Sequence, residues 1–267
     1  MEAILEAVVL GIIQGLTEFL PVSSSGHIEL GKVLLGIEAA DNATLSVVLH
    51  LGTALSTVIV YWPTIRDVFS GLFQFQWNTQ TKFAAAVVIG CIPAGLVGLF
   101  FKDVLDQLFA RNMVLVGGSL LFTAVLLLLA ERLPGKHRPL ALLPALVIGL
   151  AQAVAILPGI SRSGATVATA RLLGLEKSES ARFSFLMVLP LIFAANALEV
   201  KDLLEAPGDA PLLAPLPLAV GFLASLGVGV LACHWMIRLV QNNAFSPFAV
   251  YTAIVGSIAL AYGLFVG

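Results

Sequence analysis

The chain has 267 residues, of which 59% are hydrophobic and 11% charged, with a mean hydropathy of +1.00. A soluble protein carries about 25% charged residues, so this chain lacks the polar atoms to cover a water-facing surface, and a soluble globular domain is excluded. Acidic and basic residues nearly cancel, 16 against 14, leaving no basic excess for a nucleic-acid footprint.

In chain order, the first apolar region, 3–36, is interrupted near its middle by Pro21 and a Ser/Gly cluster. It begins with Glu2 and Glu6 instead of a basic segment and has no clear small-residue cleavage site, so it is expected to be retained rather than removed as a signal peptide. Full spans of about 20 mostly apolar residues are expected at 43–62, 82–101 and 112–130. A second interrupted region, 139–174, follows, and then spans at 183–200, 215–236 and 247–266. Cys91 and Cys233 sit in apolar runs, 142 residues apart and outside any CxxC spacing, and read as packing residues. The connections 131–138 and 199–209 are short and charged, and no linker suggests a second domain. The expectation is a single membrane domain over 1–267.

Sliding the sequence by 138 positions aligns 11–51 with 149–189 without a gap, with twelve of 41 positions identical. Leu, Ala and Gly matches come easily in this composition. The weight lies on Gln14/Gln152, Ser23/Ser161, Ser25/Ser163, Glu38/Glu176 and Ser46/Ser184. The repeats are placed at about 1–131 and 139–267, each with one interrupted region followed by three spans. If each interrupted region enters and leaves on one side, an odd number of crossings separates the copies and they are inverted. The expected fold is therefore an all-α polytopic membrane protein: an inverted-topology repeat with two re-entrant helical hairpins and about six full transmembrane helices. With the 131–138 connection inside, Arg66, Lys82, Arg132, Lys136, Arg138, Arg171, Lys177, Arg182 and Arg238 fall inside, and Lys32, Lys102, Arg111 and Lys201 fall outside. That imbalance places both termini outside.

In both interruptions Pro and Gly end one helix and serines open the next, as N-cap chemistry requires. The second half-helix of each hairpin then starts at the tip, with free N–H groups and the positive dipole end directed into the protein, where an anion binds favourably. Inversion brings the two tips together and adds Arg162. An intramembrane Arg is a functional hypothesis by default, and its candidate partners are Glu18 and a bound phosphate. Glu18, four residues after Gln14 and so on the same helix face, reads as a metal ligand or general base. Ser24 and His27, three apart at a helix start, are close enough for imidazole to reach the hydroxyl or a phosphoryl oxygen. Ser23, Ser25, Ser161 and Ser163 read as caps and phosphate-oxygen donors, with Thr166 one turn further in. Gly159 and Gly164 allow close backbone approach, and Gly26, Gly164 and Thr166 join the serines as expected phosphate-binding residues. His50, His137 and His234 read as structural.

At these residues the sequence resembles the undecaprenyl-diphosphate phosphatase family of bacterial membranes, the bacitracin-resistance type. Gln14-xxx-Glu18 matches its first motif, Leu20 to His27 its serine and histidine segment, and Pro158 to Thr166 its second motif. The resemblance implies removal of the terminal phosphate of undecaprenyl diphosphate, which recycles the lipid carrier for cell-wall synthesis. It also implies a multi-pass place in the inner membrane, a site facing the periplasm or exterior, and dependence on a divalent cation, Mg²⁺ or Ca²⁺. By motif, Glu18, Ser24, His27 and Arg162 carry catalysis, and Glu18 with Gln14 is the candidate metal site. Gln instead of Glu at position 14 weakens that residue as a charged ligand. The expected partners are the polyprenyl diphosphate, membrane lipids and a second copy of the chain as a homodimer.

The expected mechanism is phosphoryl transfer in which Ser24 attacks the terminal phosphorus or positions water, and His27 handles the proton. The rival is a lipid-phosphate flippase or anion transporter, since inverted repeats with broken helices are transporter features. Such a carrier would use Arg162 but has no need of Ser24 with His27.

Overall fold

Both interrupted regions fold as two short helices joined at their Pro/Ser clusters. The computed structural model describes residues 2–35, 43–101, 112–132, 138–205 and 215–265. In the first region α1 (Glu2–Phe19) gives way at Leu20 to Ser23 to α2 (Ser24–Leu35). In the second, α7 (Leu142–Val154) turns through 155–161 into α8 (Arg162–Leu172). Between them lie α3 (Ala43–Val60), α4 (Trp62–Leu72), α5 (Thr79–Phe100) and α6 (Met113–Arg132). After them come α9 (Lys177–Glu205), α10 (Pro215–Asn242) and α11 (Ser246–Phe265). Among the described residues there is no strand, only an isolated bridge between Arg138 and Leu175.

Among the described residues five helices, α5, α6, α9, α10 and α11, are long and apolar enough to cross a membrane, and the chain is a multi-pass membrane protein. The expected span over 43–62 corresponds to α3. Its helix stops at Val60 and continues beyond Tyr61 as α4, with a bend of 74° between the two. Pro63 in the first turn of α4 suits a helix start. Trp62, Phe69, Phe73, Phe75 and Trp77 are all exposed along and beyond α4. Helix α9 begins several residues before the expected span and α10 runs past its expected end. The repeat pair members Gly36 and Glu38, and Lys102, Arg111, Lys136 and His137, lie outside the described residues.

Small residues set the closest helix packings, as membrane helices require without a hydrophobic driving force between them. Gly11 and Gly15 of α1 face Gly221, Ser225 and Gly229 of α10 so closely that an added Cβ would lie 2.6 Å from the Gly221 carbonyl oxygen. In the second half Gly149 of α7 faces the backbone of Gly90 on α5. Helices α6 and α11 cross where Gly117 and Gly256 each face the other's carbonyl oxygen. The largest buried cluster, including Phe19, Tyr61, Phe83, Phe183, Phe185 and Met236, takes residues from both halves. Phe19 and Phe185 meet edge to face at 5.7 Å.

Candidate active site

The two Ser-rich tips are built alike. In the first, Ser23 Oγ accepts from Gly26 N at 3.2 Å and lies 3.3 Å from Ser25 Oγ. In the second, Ser161 Oγ accepts from Gly164 N at 3.1 Å and lies 3.3 Å from Ser163 Oγ. Each cap satisfies one of the orphan N–H groups of its helix and leaves the preceding two, at Ser24 and Ser25 and at Arg162 and Ser163, without an intrahelical acceptor.

The tips also touch reciprocally. A Cβ on Gly26 would lie 3.2 Å from Gly159 Cα, and one on Gly164 would lie 3.2 Å from Pro21 Cβ; 21/159 and 26/164 are both pairs at the repeat offset of 138. Ser163 Oγ donates to the Leu20 carbonyl at 3.2 Å, and Ser161 N donates to Thr123 Oγ1 on α6 at 3.0 Å. Gly159 has a φ of 92°, and a Cβ there would strike the Val116 carbonyl at 2.5 Å, so only glycine fits. Ser23 holds a φ of 71°, a left-handed conformation uncommon for a non-glycine residue.

Between the tips lies a cavity of about 160 Å³, lined by Thr17, Glu18, the serines of both tips and Arg162. At about 30 Å³ per liquid water, it has room for a phosphoryl group. Glu18 organises the wall. One carboxylate oxygen accepts from Arg162 Nη2, and the other accepts from Gln14 Nε2 at 3.1 Å and from Ser24 Oγ at 3.0 Å. Ser24 is thus held by a carboxylate and not by His27. The imidazole makes other bonds: Nδ1 to the Ser23 carbonyl and Nε2 to Tyr251 Oη, each 2.7 Å, with its ring stacked on Tyr251.

Of the expected site residues, the structure brings together Glu18, Ser23, Ser24, Ser25, Ser161, Arg162 and Ser163 around the cavity. Gly26 and Gly164 stand behind it as the packing surface of the tips. Thr166 is turned away: its hydroxyl donates to the Arg162 carbonyl at 2.8 Å and pairs with Ser184 Oγ. Gln14 reaches the site only through Glu18 and lines a separate cavity of about 30 Å³ with Ser46 and His50. Tyr251 and Thr17 are additions that sequence reasoning missed. The ring nitrogens of His50 and His234 meet backbone carbonyls one turn back at 2.9 and 2.8 Å, the ordinary arrangement for a helical histidine.

Among the described residues no group of three or more His, Cys, Asp or Glu is arranged to hold a metal ion. Glu18 contributes a single carboxylate beside serine hydroxyls. That donor set suits a hard cation that keeps most of its ligands as water and phosphate oxygens, as Mg²⁺ does with nucleotide-type substrates.

Next to the polar cavity runs an apolar groove of about 360 Å³ between α5, α7 and α9, walled by Ala94, Gly95, Leu99, Leu191, Ile192 and Leu198 among others. Arg162, Ala155 and Ile156 line both spaces. A polar pocket with an arginine at its boundary thus lies beside an apolar groove within a helical membrane protein.

The chain belongs to the family described as "Bacitracin resistance protein BacA", whose model matches residues 7–258. Curated relatives are similar over nearly their whole length. A protein of Christiangramia forsetii named "Undecaprenyl-diphosphatase" is 48% identical over 97% of this chain and 98% of its own. Proteins of the same name from Parabacteroides distasonis and Bacteroides thetaiotaomicron are each 45% identical, over 96% and 94% of this chain and 97% and 96% of their own.

Proposed function

We propose that this chain is a membrane phosphatase that hydrolyses undecaprenyl diphosphate to undecaprenyl phosphate and inorganic phosphate, recycling the lipid carrier of cell-wall precursors and conferring bacitracin resistance. The observation that carries this reading is Glu18 binding Ser24 and Arg162 at once, which sets a hydroxyl nucleophile and a guanidinium against one cavity. Full-length similarity to proteins named for this activity supports it.

The terminal phosphate enters the hydroxyl-lined cavity, and the prenyl chain follows the apolar groove. Arg162 and the free N–H groups of the two tips take up the phosphoryl oxygens, supplying charge stabilisation where it develops. Ser24 Oγ attacks the terminal phosphorus and passes its proton to Glu18. The bond from phosphorus to the bridging oxygen breaks, and undecaprenyl phosphate leaves. Glu18 gives that proton to the departing undecaprenyl phosphate, and water then cleaves the phosphoserine, Glu18 taking one proton from the water and returning it to Ser24 Oγ. A divalent cation, Mg²⁺ or Ca²⁺, when bound through Glu18 and the substrate's oxygens, would neutralise diphosphate charge. His27, fixed by Tyr251, holds the first turn of α2 in position.

The same reading takes the chain as one membrane domain of two inverted repeats, about 1–131 and 139–267, with α1/α2 and α7/α8 as re-entrant hairpins and both termini outside the inner membrane. Reciprocal tip contacts and the exchanged pairing of α1 with α10 and α7 with α5 support it. Ala3 and Ala141, both exposed, are equivalent at the 138 offset. In a variant lacking Cys91 and Cys233, single cysteines at these positions should react with an impermeant thiol reagent from opposite sides. Reaction of both from one side would break the inversion.

The rival carrier reading, a lipid-phosphate flippase or anion transporter, is separated by one assay. Purified protein in detergent, with no compartments to connect, should release inorganic phosphate from undecaprenyl diphosphate. Absence of release would favour the carrier.

A further inference from the structure

Gln152 on α7 is 2% exposed, and neither its amide nitrogen nor its amide oxygen has a hydrogen-bond partner among the described residues. A buried amide left in this state is destabilising, and the cause is visible in the repeat. Its counterpart Gln14 donates to Glu18, four residues on. At the position equivalent to Glu18 the second repeat carries Ile156, and at the position equivalent to Ser24 it carries Arg162. The second half has lost the carboxylate that an amide at this place would hold and gained a cation, leaving Gln152 facing a cavity instead of a side chain.

That cavity is the apolar groove. Of the described residues lining it, Gln152 and Arg162 are the polar ones. In a prenyl diphosphate, the phosphate esterified to the chain lies between the terminal phosphate and the first apolar carbons. With the terminal phosphate among the tip serines and the chain in the groove, this inner phosphate falls at the boundary that Arg162 marks.

We infer that Gln152 binds the phosphate that stays on the lipid, its amide N–H groups donating to that phosphate's oxygens, so that the side chain recognises substrate and lipid product alike. The inference rests on the proposed phosphatase reading for the place of the substrate. Its chemistry has a definite kinetic signature. That phosphate is also the leaving group, whose charge rises as the bond to the terminal phosphorus breaks, so the contact strengthens from substrate to lipid product, and inorganic phosphate, which lacks the lipid end, does not use it.

The test compares wild type with Gln152→Leu and Gln152→Met, the second unbranched like glutamine. Direct binding of a prenyl monophosphate to purified protein in detergent is measured beside turnover of the diphosphate. Losing a hydrogen bond to a charged group should raise the Kd for the monophosphate about 10- to 100-fold and lower kcat/KM for the diphosphate, with inhibition by inorganic phosphate unchanged and thermal stability not lowered. Unchanged monophosphate binding in both variants would overturn the inference, as would equal weakening of inorganic phosphate or unfolding of both variants. Monophosphate binding needs no turnover. A wild type that binds the monophosphate but releases no phosphate would therefore count against the phosphatase reading alone.

Discussion

Glu18 accepts the Ser24 hydroxyl at 3.0 Å across the turn between α1 and α2, and the same carboxylate holds Arg162 from the other half of the chain. One carboxylate therefore links the two half-helix tips. A proton leaving Ser24 has a direct acceptor, and the guanidinium beside that acceptor faces the same cavity. In the proposed mechanism Glu18, instead of the expected His27, therefore takes the Ser24 proton.

The first prediction follows from that exchange. Ser24→Ala should abolish turnover, and Glu18→Gln should reduce kcat about 100-fold or more, the range for a lost proton-transfer group. His27→Ala and Tyr251→Phe should act through position and lower kcat together, each by about tenfold or less, below that range. Acid quench should trap a phosphoserine, which survives acid where a phosphohistidine does not. Complete loss in His27→Ala with an acid-labile intermediate would make His27 the nucleophile.

Arg162→Lys should lower kcat/KM about 100-fold or more, as for other lost oxyanion donors, because a point charge cannot reproduce the planar fork that grips two oxygens. The measurement is steady-state phosphate release. Near wild-type turnover would reduce Arg162 to an anchor for Glu18.

Much of the site was legible because its signals are local. Pro21 and Ser23, and Pro158 and Ser161, announce a helix stop and a cap within a few residues, and the polar repeat pairs mark the two tips as counterparts. Partner choice was less legible. The spacing of Ser24 and His27 suggested a couple, but the chain reverses at Ser23 with a φ of 71°, which swings Ser24 back towards Glu18. No sequence signal points from His27 to Tyr251, 224 residues away. The end of the span near Tyr61 was legible from Pro63, Arg66 and Asp67, whereas the helix α4 that follows it was not.

Glu131, at the end of α6, caps α11 from outside it. Its carboxylate accepts from Phe245 N at 3.0 Å, from Ser246 Oγ at 2.6 Å and from Ser246 N, and its carbonyl accepts from Asn243 Nδ2 at 2.7 Å. Glu131→Ala should lose about 0.5–2 kcal/mol, the range for a lost cap, read as a lower Tm in detergent. Turnover per folded molecule should stay at the wild-type value, since Glu131 does not line the cavity between the tips. An unchanged Tm would show the cap to be energetically neutral.

The last prediction concerns the groove and separates chain binding from head binding. A Cβ added at Gly98 would meet nothing within 4 Å, although Gly98 lines the groove, so a larger side chain there intrudes on the groove without striking the protein. Gly98→Phe should raise the KM for undecaprenyl diphosphate about tenfold, the worth of losing contact with two methylenes at about 0.8 kcal/mol each. A substrate too short to reach the altered stretch should show no change, and kcat should hold for both because the tip geometry is untouched. Equal effects on long and short substrates would mean that the substitution acts on the head site. No effect on either would place the prenyl chain on another face of the helices, outside the groove between α5, α7 and α9.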